Sequence, residues 1–493
     1  MIEKTLIEAG SIATWLITII LYFYWILAIF VILTDEDRDS HSVITWLAIF
    51  FIFPIIGFIA YLLFGYNHRR KKMIQIKRPP ESKTVTTYNK LVASFEKEHS
   101  NLLEIKDLRT QKIAILAKNC ANAVITVHNS IKIFHTGKEK FDSLYKDIER
   151  AKKFIHMDYF IWNSDSLTEK FKNILIEKAR DGVEVRIIID SIGALRIKRS
   201  YLKEMQKNNI KIHLFYNVFS PTKIFFFNHR SHRKIVIIDG VVGYTGGMNM
   251  GKEYIDGKPR FKSWRDTHMR ITGEAVLLLQ KIFIENWYDL DRENLYHKRY
   301  FPYEKSLEKE KIFPMQIVHS GPDTSWAALQ KMYFSLITSA TNYVYIHSPY
   351  FVPDRSILTA LSTAALSGID VRIIVTGIPD KKIPYWAAFT YFKDILRAGG
   401  KVYHYNAGFM HTKSIVVDDE IGSIGTTNMD IRSFRLNYEV NALFYNKNKC
   451  REMRKVFLAD TDKCREYTWK DYENTRVITK LRNSLARLTS PLL

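Results

Sequence analysis

His232-Arg233-Lys234-Ile235-Val236-Ile237-Ile238-Asp239 returns 179 positions later as His411-Thr412-Lys413-Ser414-Ile415-Val416-Val417-Asp418. The tails of the two stretches match as well. Gly246, Gly247 and Asn249 stand seven, eight and ten residues beyond Asp239, as Gly425, Thr426 and Asn428 do beyond Asp418. Repetition of that spacing implies two copies of one half-site in a single chain. The apolar runs 235–238 and 415–417 read as buried strands of β-branched residues. On a strand, positions i and i+2 share a face, which sets His232 beside Lys234 and His411 beside Lys413. An imidazole next to an ammonium suits an anionic substrate, because the lysine neutralises phosphate oxygens while the histidine attacks or moves a proton. Asp239 has a second reading, since Asp-Gly after an apolar run is a hairpin signal. Asp239 and Asp418 are therefore motif residues expected to serve the chain's geometry.

The doubled pattern resembles the phospholipase D superfamily, whose HxKxxxxD motif, followed by Gly, a small residue and Asn, occurs twice in its single-chain members. The resemblance implies an α/β fold, with two similar phospholipase D-like halves packed around a shared active site. It implies a catalytic set of His232, Lys234, Asp239, His411, Lys413 and Asp418, with no metal and no cofactor. One histidine would form a covalent phosphohistidine and the other would protonate the leaving alcohol. Family precedent favours His232 as nucleophile and His411 as acid, then base. Lys234, Lys413, Asn249 and Asn428 would hold the non-bridging phosphate oxygens. A nucleophilic imidazole also needs its second nitrogen held by an acceptor that fixes tautomer and orientation. Asp266, in Ser263-Trp264-Arg265-Asp266, and Glu439, in Asn437-Tyr438-Glu439, follow their own motif histidines by 34 and 28 residues. The superfamily carries an orienting acid at about these places.

Residues 12–33 contain no charge and are numerous enough to cross a hydrocarbon core of about 30 Å as a helix. A second uncharged stretch covers 43–66, and the short connection holds Asp35, Glu36, Asp37 and Asp39 against Arg38. His68-Arg69-Arg70-Lys71-Lys72, then Lys77 and Arg78, follow the second stretch. By the positive-inside rule the basic flank stays in the cytoplasm and the acidic loop lies outside. The expectation is an N-terminal two-helix transmembrane hairpin, kept in the mature protein. The opening Met1-Ile2-Glu3-Lys4 has neither the basic start nor the cleavage site of a signal peptide. Pro54 would kink the second helix or pack against the first.

The 493 residues carry a formal net charge of +22. Such a surface suits an anionic partner, and a bilayer tether ranks acidic membrane lipid above nucleic acid. Cys120, Cys450 and Cys464 are too few and too scattered for a disulfide framework or a metal knuckle. Nothing in the chain speaks to oligomeric state, and a homo-oligomer stays open.

Further segments repeat. Strand candidates at 154–160 and 343–347 are each followed by an N-cap, Asp165 or Asp354. An apolar helical stripe comes next, Leu167, Phe171, Ile174 and Leu175 in one copy and Ile357, Leu358, Leu361 and Ala365 in the other. Each helix stops at a glycine, Gly182 or Gly368, before strands at 185–189 and 371–375. Alternating strand and helix implies parallel sheet built from βαβ units. The expected organisation is a hairpin at 1–66, a basic juxtamembrane linker at 67–110 and a first half at 111–300. A linker at 301–312, a second half at 313–479 and a basic amphipathic tail at 480–493 follow. Lys211 to His232 is 21 residues, whereas Lys401 to His411 is 10. The surplus includes Pro221-Thr222-Lys223-Ile224-Phe225-Phe226-Phe227, which either dips into the bilayer, lines the entrance for acyl chains or packs into the core. In the tail, Leu481, Leu485 and Leu488 share a helical face, either on a membrane surface or against the domain.

A phosphohistidine can be released by water or by an alcohol, and the motifs alone do not choose. The amino-terminal segment around Thr45-Trp46-Leu47, Pro54-Ile55-Ile56-Gly57 and Tyr61-Leu62-Leu63-Phe64-Gly65, with the Ser490-Pro491-Leu492-Leu493 ending, resembles bacterial cardiolipin synthases of the phospholipase D type. That resemblance implies phosphatidyl transfer between two phosphatidylglycerol molecules with release of glycerol, at the cytoplasmic face of the cell membrane. A membrane-bound phospholipase D that hydrolyses is the alternative, and a phosphodiester nuclease a more remote one.

Overall fold

The computed structural model describes residues 107–216, 227–302 and 312–490 without a break, together with 83–99, 40–53 and shorter runs between 14 and 80. It divides into two compact units, 1–75 with 219–228, and 76–218 with 229–493.

In the larger unit the first series of strands is β1 Thr126–Phe134, β2 Phe154–Tyr159, β3 Glu184–Asp190, β4 Lys211–Phe215, β5 Lys234–Ile238, β6 Val242–Gly246, β7 Trp264–Arg265 and β8 His268–Gly273. The second is β9 Ile312–Ser320, β10 Tyr343–His347, β11 Phe351–Val352, β12 Asp370–Thr376, β13 Lys401–Tyr405, β14 Phe409–Met410, β15 Ser414–Val417, β16 Ile421–Gly425, β17 Met429–Asp430, β18 Glu439–Phe444 and β19 Cys464–Tyr467. Fifteen of them form one sheet in the order β4-β3-β2-β5-β6-β8-β1-β9-β18-β16-β15-β10-β12-β13-β19. Outward from the β1–β9 seam the series correspond strand for strand, and the second adds only the edge strand β19. The repeated motif is thus a repeat of topology.

β2, β3 and β4 pair in parallel, as do β10, β12 and β13. The expected βαβ units are there, and the crossover helices behave as read. Asp165 accepts from the Leu167 and Thr168 amides at the start of Ser166–Arg180, and Asp354 from Ser356 and Ile357 at the start of Arg355–Leu366. Gly182 and Gly368, both at φ +86°, release the chain from those helices with a left-handed turn that a Cβ would strain. The rest of each half departs from an all-parallel sheet: β5, β6, β8 and β1 pair antiparallel, as do β15, β16, β18 and β9. The reason is local. The three-residue turns after β5 and β15 are too short for a crossover and admit only a hairpin.

Those turns explain the motif aspartates. Asp239 and Asp418 take φ +54° and +52°. The Asp239 carboxylate accepts the amides of Lys152, Lys153 and Phe154 at 2.8, 2.7 and 2.9 Å, tying the entrance of β2 to the hairpin. Asp418 does the same for Thr341, Asn342 and Tyr343 at 2.7, 2.8 and 2.8 Å. Seven residues of extended chain put each roughly 20 Å from its histidine. Their hydrogen bonds brace the fold, in keeping with the geometric service expected of the two aspartates. Asp239→Ala is accordingly expected to cost about 1–3 kcal/mol of stability, read as a lowered denaturation midpoint in detergent, with turnover of the folded fraction unchanged.

Helix Leu108–Ala121 crosses residue 110, and its Ile113, Ala117 and Ala121 enter the core of the second half with Met332 and Leu336. Gln316 on β9 donates to the carbonyls of Ala114 and Ala123 at 3.0 and 2.5 Å, so the segment ahead of β1 is clamped to the second series. The tail is the end of helix Val477–Arg487, packed along helix Lys382–Arg397. Tyr303 to Lys311, the centre of the expected linker, lies outside the described residues.

In the smaller unit, helix Ser40–Ile52 contributes Phe50 to a cluster with Ile32 and Tyr61, and Trp46 meets Tyr61 edge-on at 5.2 Å. Trp15, Tyr22, Phe23, Ile26 and Phe51 are exposed. Among the described residues no helix is long and apolar enough to cross a membrane. The acidic residues 35–39, Pro54 and the basic run 68–72 lie outside the described residues, as do parts of both expected spans. Phe225 and Phe226 lie outside them as well, while Phe227 is exposed.

Candidate active site

His232 and His411 stand just ahead of β5 and β15, which begin at Lys234 and Ser414. Strand alternation therefore does not bring each histidine to its lysine, as the spacing suggests. Instead Lys234 Nζ donates to the His232 carbonyl at 2.7 Å, and Lys413 Nζ to that of His411 at 2.5 Å. An ammonium carries three donors, so two on each lysine are left for a substrate's oxygens.

The two half-sites are wired through each other. Ser231 bridges Tyr438 in parallel, and the His232 amide donates to the Tyr438 carbonyl at 2.9 Å. The next residue, Glu439, thereby meets His232, with Nδ1 2.9 and 3.0 Å from its two carboxylate oxygens. The mirror arrangement uses β7 and β14, paired in parallel with Met410 opposite Arg265. The His411 amide donates to the Arg265 carbonyl at 2.7 Å, and Asp266 Oδ2 lies 2.6 Å from His411 Nδ1. Each acid orients the histidine of the other half, which corrects the pairing of each acid with its own motif. With Nδ1–H donated to a carboxylate, Nε2 of either ring is the nitrogen left for chemistry.

Burial holds the His232 imidazole down to about 4, and the Lys234 and Lys413 ammoniums reinforce that push against Glu439. His411 is likewise held to about 4, by burial and then by Lys413 and Lys234. Burial lowers Lys234 to about 7 and Lys413 to about 8. Burial pushes Glu439 up, but His232, Lys234 and the Thr426 hydroxyl together keep it below its ordinary value. Each half's lysine acts on the other half's histidine, so the charges form one site.

A pH profile follows. The phosphohistidine chemistry that the resemblance implies would need one neutral imidazole, one imidazolium and two charged lysines. The lysines lose charge as pH rises through about 7 and 8, and the acid histidine of the free enzyme is neutral above about 4. kcat/KM is expected to climb as pH falls from 8 toward 5, then to drop as the nucleophile protonates near 4. An anionic phosphodiester between the rings raises the acid histidine, so kcat should vary less than kcat/KM. Initial rates in mixed micelles test this, and a kcat/KM that increases with pH would contradict it.

The motif asparagines are buried and engaged. Asn249 Oδ1 accepts the Ile161 amide at 3.1 Å and its Nδ2 donates to the Tyr254 hydroxyl at 2.5 Å, leaving one N–H for a substrate. Asn428 bonds Asp430, and its Oδ1 is buried without a partner.

Spacing does not single out several residues that complete the site. A Cβ on Gly247 would fall 2.0 Å from Asp266 Oδ1, so only glycine admits that carboxylate. In the other copy, Thr426 donates its hydroxyl to Glu439 Oε2 at 2.5 Å. Their place in the two tails was visible, their closeness to the acids was not. The half-buried Arg265 pairs with the buried Asp460 at 2.8 Å, and Asp460 faces the buried His347 at 3.4 Å. This latch fixes the β7 crossover to the second half and has no signal in the sequence. Among the described residues no group of three or more His, Cys, Asp or Glu is placed to hold a metal ion.

Residues 144–274 and 333–461 each match the family described as cardiolipin synthase, PLD-like domain, and 23–65 match the phospholipase D-nuclease N-terminal family. The cardiolipin synthase of Alkalihalophilus pseudofirmus is 38% identical over 489 residues, covering 99% of this chain and 96% of its own. The major cardiolipin synthase ClsA of Bacillus subtilis is 38% identical over 493 residues, covering 98% and 100%. A crystal structure of phosphatidylserine synthase from Haemophilus influenzae superposes with a TM-score of 0.59 at 16% identity, over 78% of this chain and 100% of that one, a likeness of fold. The chain belongs to the cardiolipin synthase family of the phospholipase D superfamily.

Proposed function

We propose that the protein is a cardiolipin synthase that moves a phosphatidyl group from one phosphatidylglycerol to another. Two mirror-related histidines, each with a lysine and each oriented across the halves, carry the reading. His232 Nε2 attacks phosphorus, the bond from phosphorus to the glycerol oxygen breaks, and His411 gives that oxygen its proton. The terminal hydroxyl of a second phosphatidylglycerol then loses its proton to His411 and attacks phosphorus. The bond to His232 breaks, and cardiolipin leaves with both histidines restored. Lys234 and Lys413, with one N–H of Asn249, hold the non-bridging oxygens as charge builds. Buried, water-poor surroundings favour a lipid hydroxyl over water as acceptor.

Kinship with cardiolipin synthases along nearly the whole chain supports transfer over hydrolysis. The uncharged stretches 12–33 and 43–66 serve as the membrane anchor in this reading, with the basic flank and both halves on the cytoplasmic side. The test uses the full-length protein in detergent with phosphatidylglycerol as the sole lipid. Glycerol and cardiolipin are expected in equal amounts, and phosphatidic acid without cardiolipin would overturn the proposal.

A further inference from the structure

Helix Val477–Arg487 is packed inside out. Val477, Leu481, Leu485 and Leu488 fall at i, i+4, i+8 and i+11 and share one face, and they are 83%, 59%, 57% and 76% exposed. Ile478 adjoins them at 74%. The side turned to the domain carries Asn483 and Ala486, both buried, followed by Ser490, whose hydroxyl meets that of Tyr391 at 2.9 Å. Arginines grip the domain where leucines would ordinarily do so. The Arg482 guanidinium lies 4.6 Å from the Trp386 ring, and that of Arg487 4.9 Å from the ring of Tyr391. An amphipathic helix free to choose buries its apolar face. Here aromatic clamps hold that face outward.

We propose that this face is a second membrane-contact surface, docking onto an anionic bilayer. Charge selects the occupant. Arg476, Arg482 and Arg487 flank the stripe and are exposed, as are Lys381 and Lys382 at the start of the supporting helix, against Glu473 and Asp394. A second copy of the chain would bring this basic rim against itself. Anionic headgroups neutralise it while the leucines enter the acyl boundary, the pattern of an interfacial helix. Docked so, the catalytic halves are held to the surface from which their lipids come, independently of the amino-terminal stretches.

The test uses the full-length chain carrying Leu481→Ser, Leu485→Ser and Leu488→Ser, exposed positions outside the catalytic set. Turnover on phosphatidylglycerol bilayer vesicles is expected to fall roughly tenfold or more, with turnover in detergent micelles unchanged. Equal loss in both, or none in vesicles, would overturn the proposal. That arm rests on the proposed reaction, and a second arm does not. With Cys120→Ser and Cys464→Ser, a fluorophore on Leu485→Cys should be quenched by nitroxide lipids in phosphatidylglycerol vesicles. Absence of quenching, or a halved mass for the serine variant in detergent, which marks self-association through this face, overturns docking even if cardiolipin is made.

Discussion

His411→Ala is expected to release p-nitrophenol from phosphatidyl-p-nitrophenol in a stoichiometric burst, while its turnover of phosphatidylglycerol falls by about 10³–10⁴-fold. Nitrophenolate leaves without being protonated, so the first half-reaction no longer needs an acid. Resolution still needs a base to activate the acceptor, and the phosphatidyl group stays on His232. Mass spectrometry of the burst complex should find the modification there. His232→Ala removes the atom that attacks, and is expected to lose both substrates by about 10⁴-fold or more. The opposite pattern, with the burst in His232→Ala and the adduct on His411, would exchange the two roles while leaving the chemistry intact.

The orienting acids should follow the crossed geometry. Glu439→Gln lies in the second half but holds the first half's histidine, at 2.9 and 3.0 Å. It is expected to lose about 10²–10⁴-fold on both substrates, because an amide cannot stabilise the same tautomer. Asp266→Asn, from the first half, meets His411 at 2.6 Å. Its loss on phosphatidylglycerol should be similar, and its nitrophenol burst should survive. With the adduct found on His232, an Asp266→Asn that abolishes the burst and a Glu439→Gln that spares it would mean that each acid serves its own motif in solution and that the crossed arrangement is wrong.

The motif pair, the N-caps Asp165 and Asp354 and the helix-ending glycines were legible because each is a local signal repeated at a fixed offset. Register and spacing sufficed to expect α/β halves and to single out the histidines and lysines, whereas both acids came from the resemblance to the superfamily. Pairing escaped because it depends on which chain ends meet. Nothing near Asp266 in sequence indicates that β7 lies beside β14, 145 residues before its histidine. The antiparallel half of each series hid behind apolar runs that suit either sheet type. Helix Leu108–Ala121 looked like linker because its partner, the helix at Ala328–Thr338, comes more than two hundred residues later. The Arg265–Asp460 latch spans 195 residues and rests on a lone charge at each end.

The crossed wiring has a consequence for timing. His232 waits for an acid 207 residues downstream, and a ribosome adding about 5–20 residues per second needs roughly 10–40 s to supply it. During that interval the nascent chain already holds a complete first motif yet lacks the group that aims its imidazole. A truncated product ending anywhere before Glu439 is expected to lose at least as much activity as Glu439→Gln, for the same reason. Full activity therefore awaits the late arrival of Glu439, and an unfinished copy is expected to attack the phospholipid around it far more slowly.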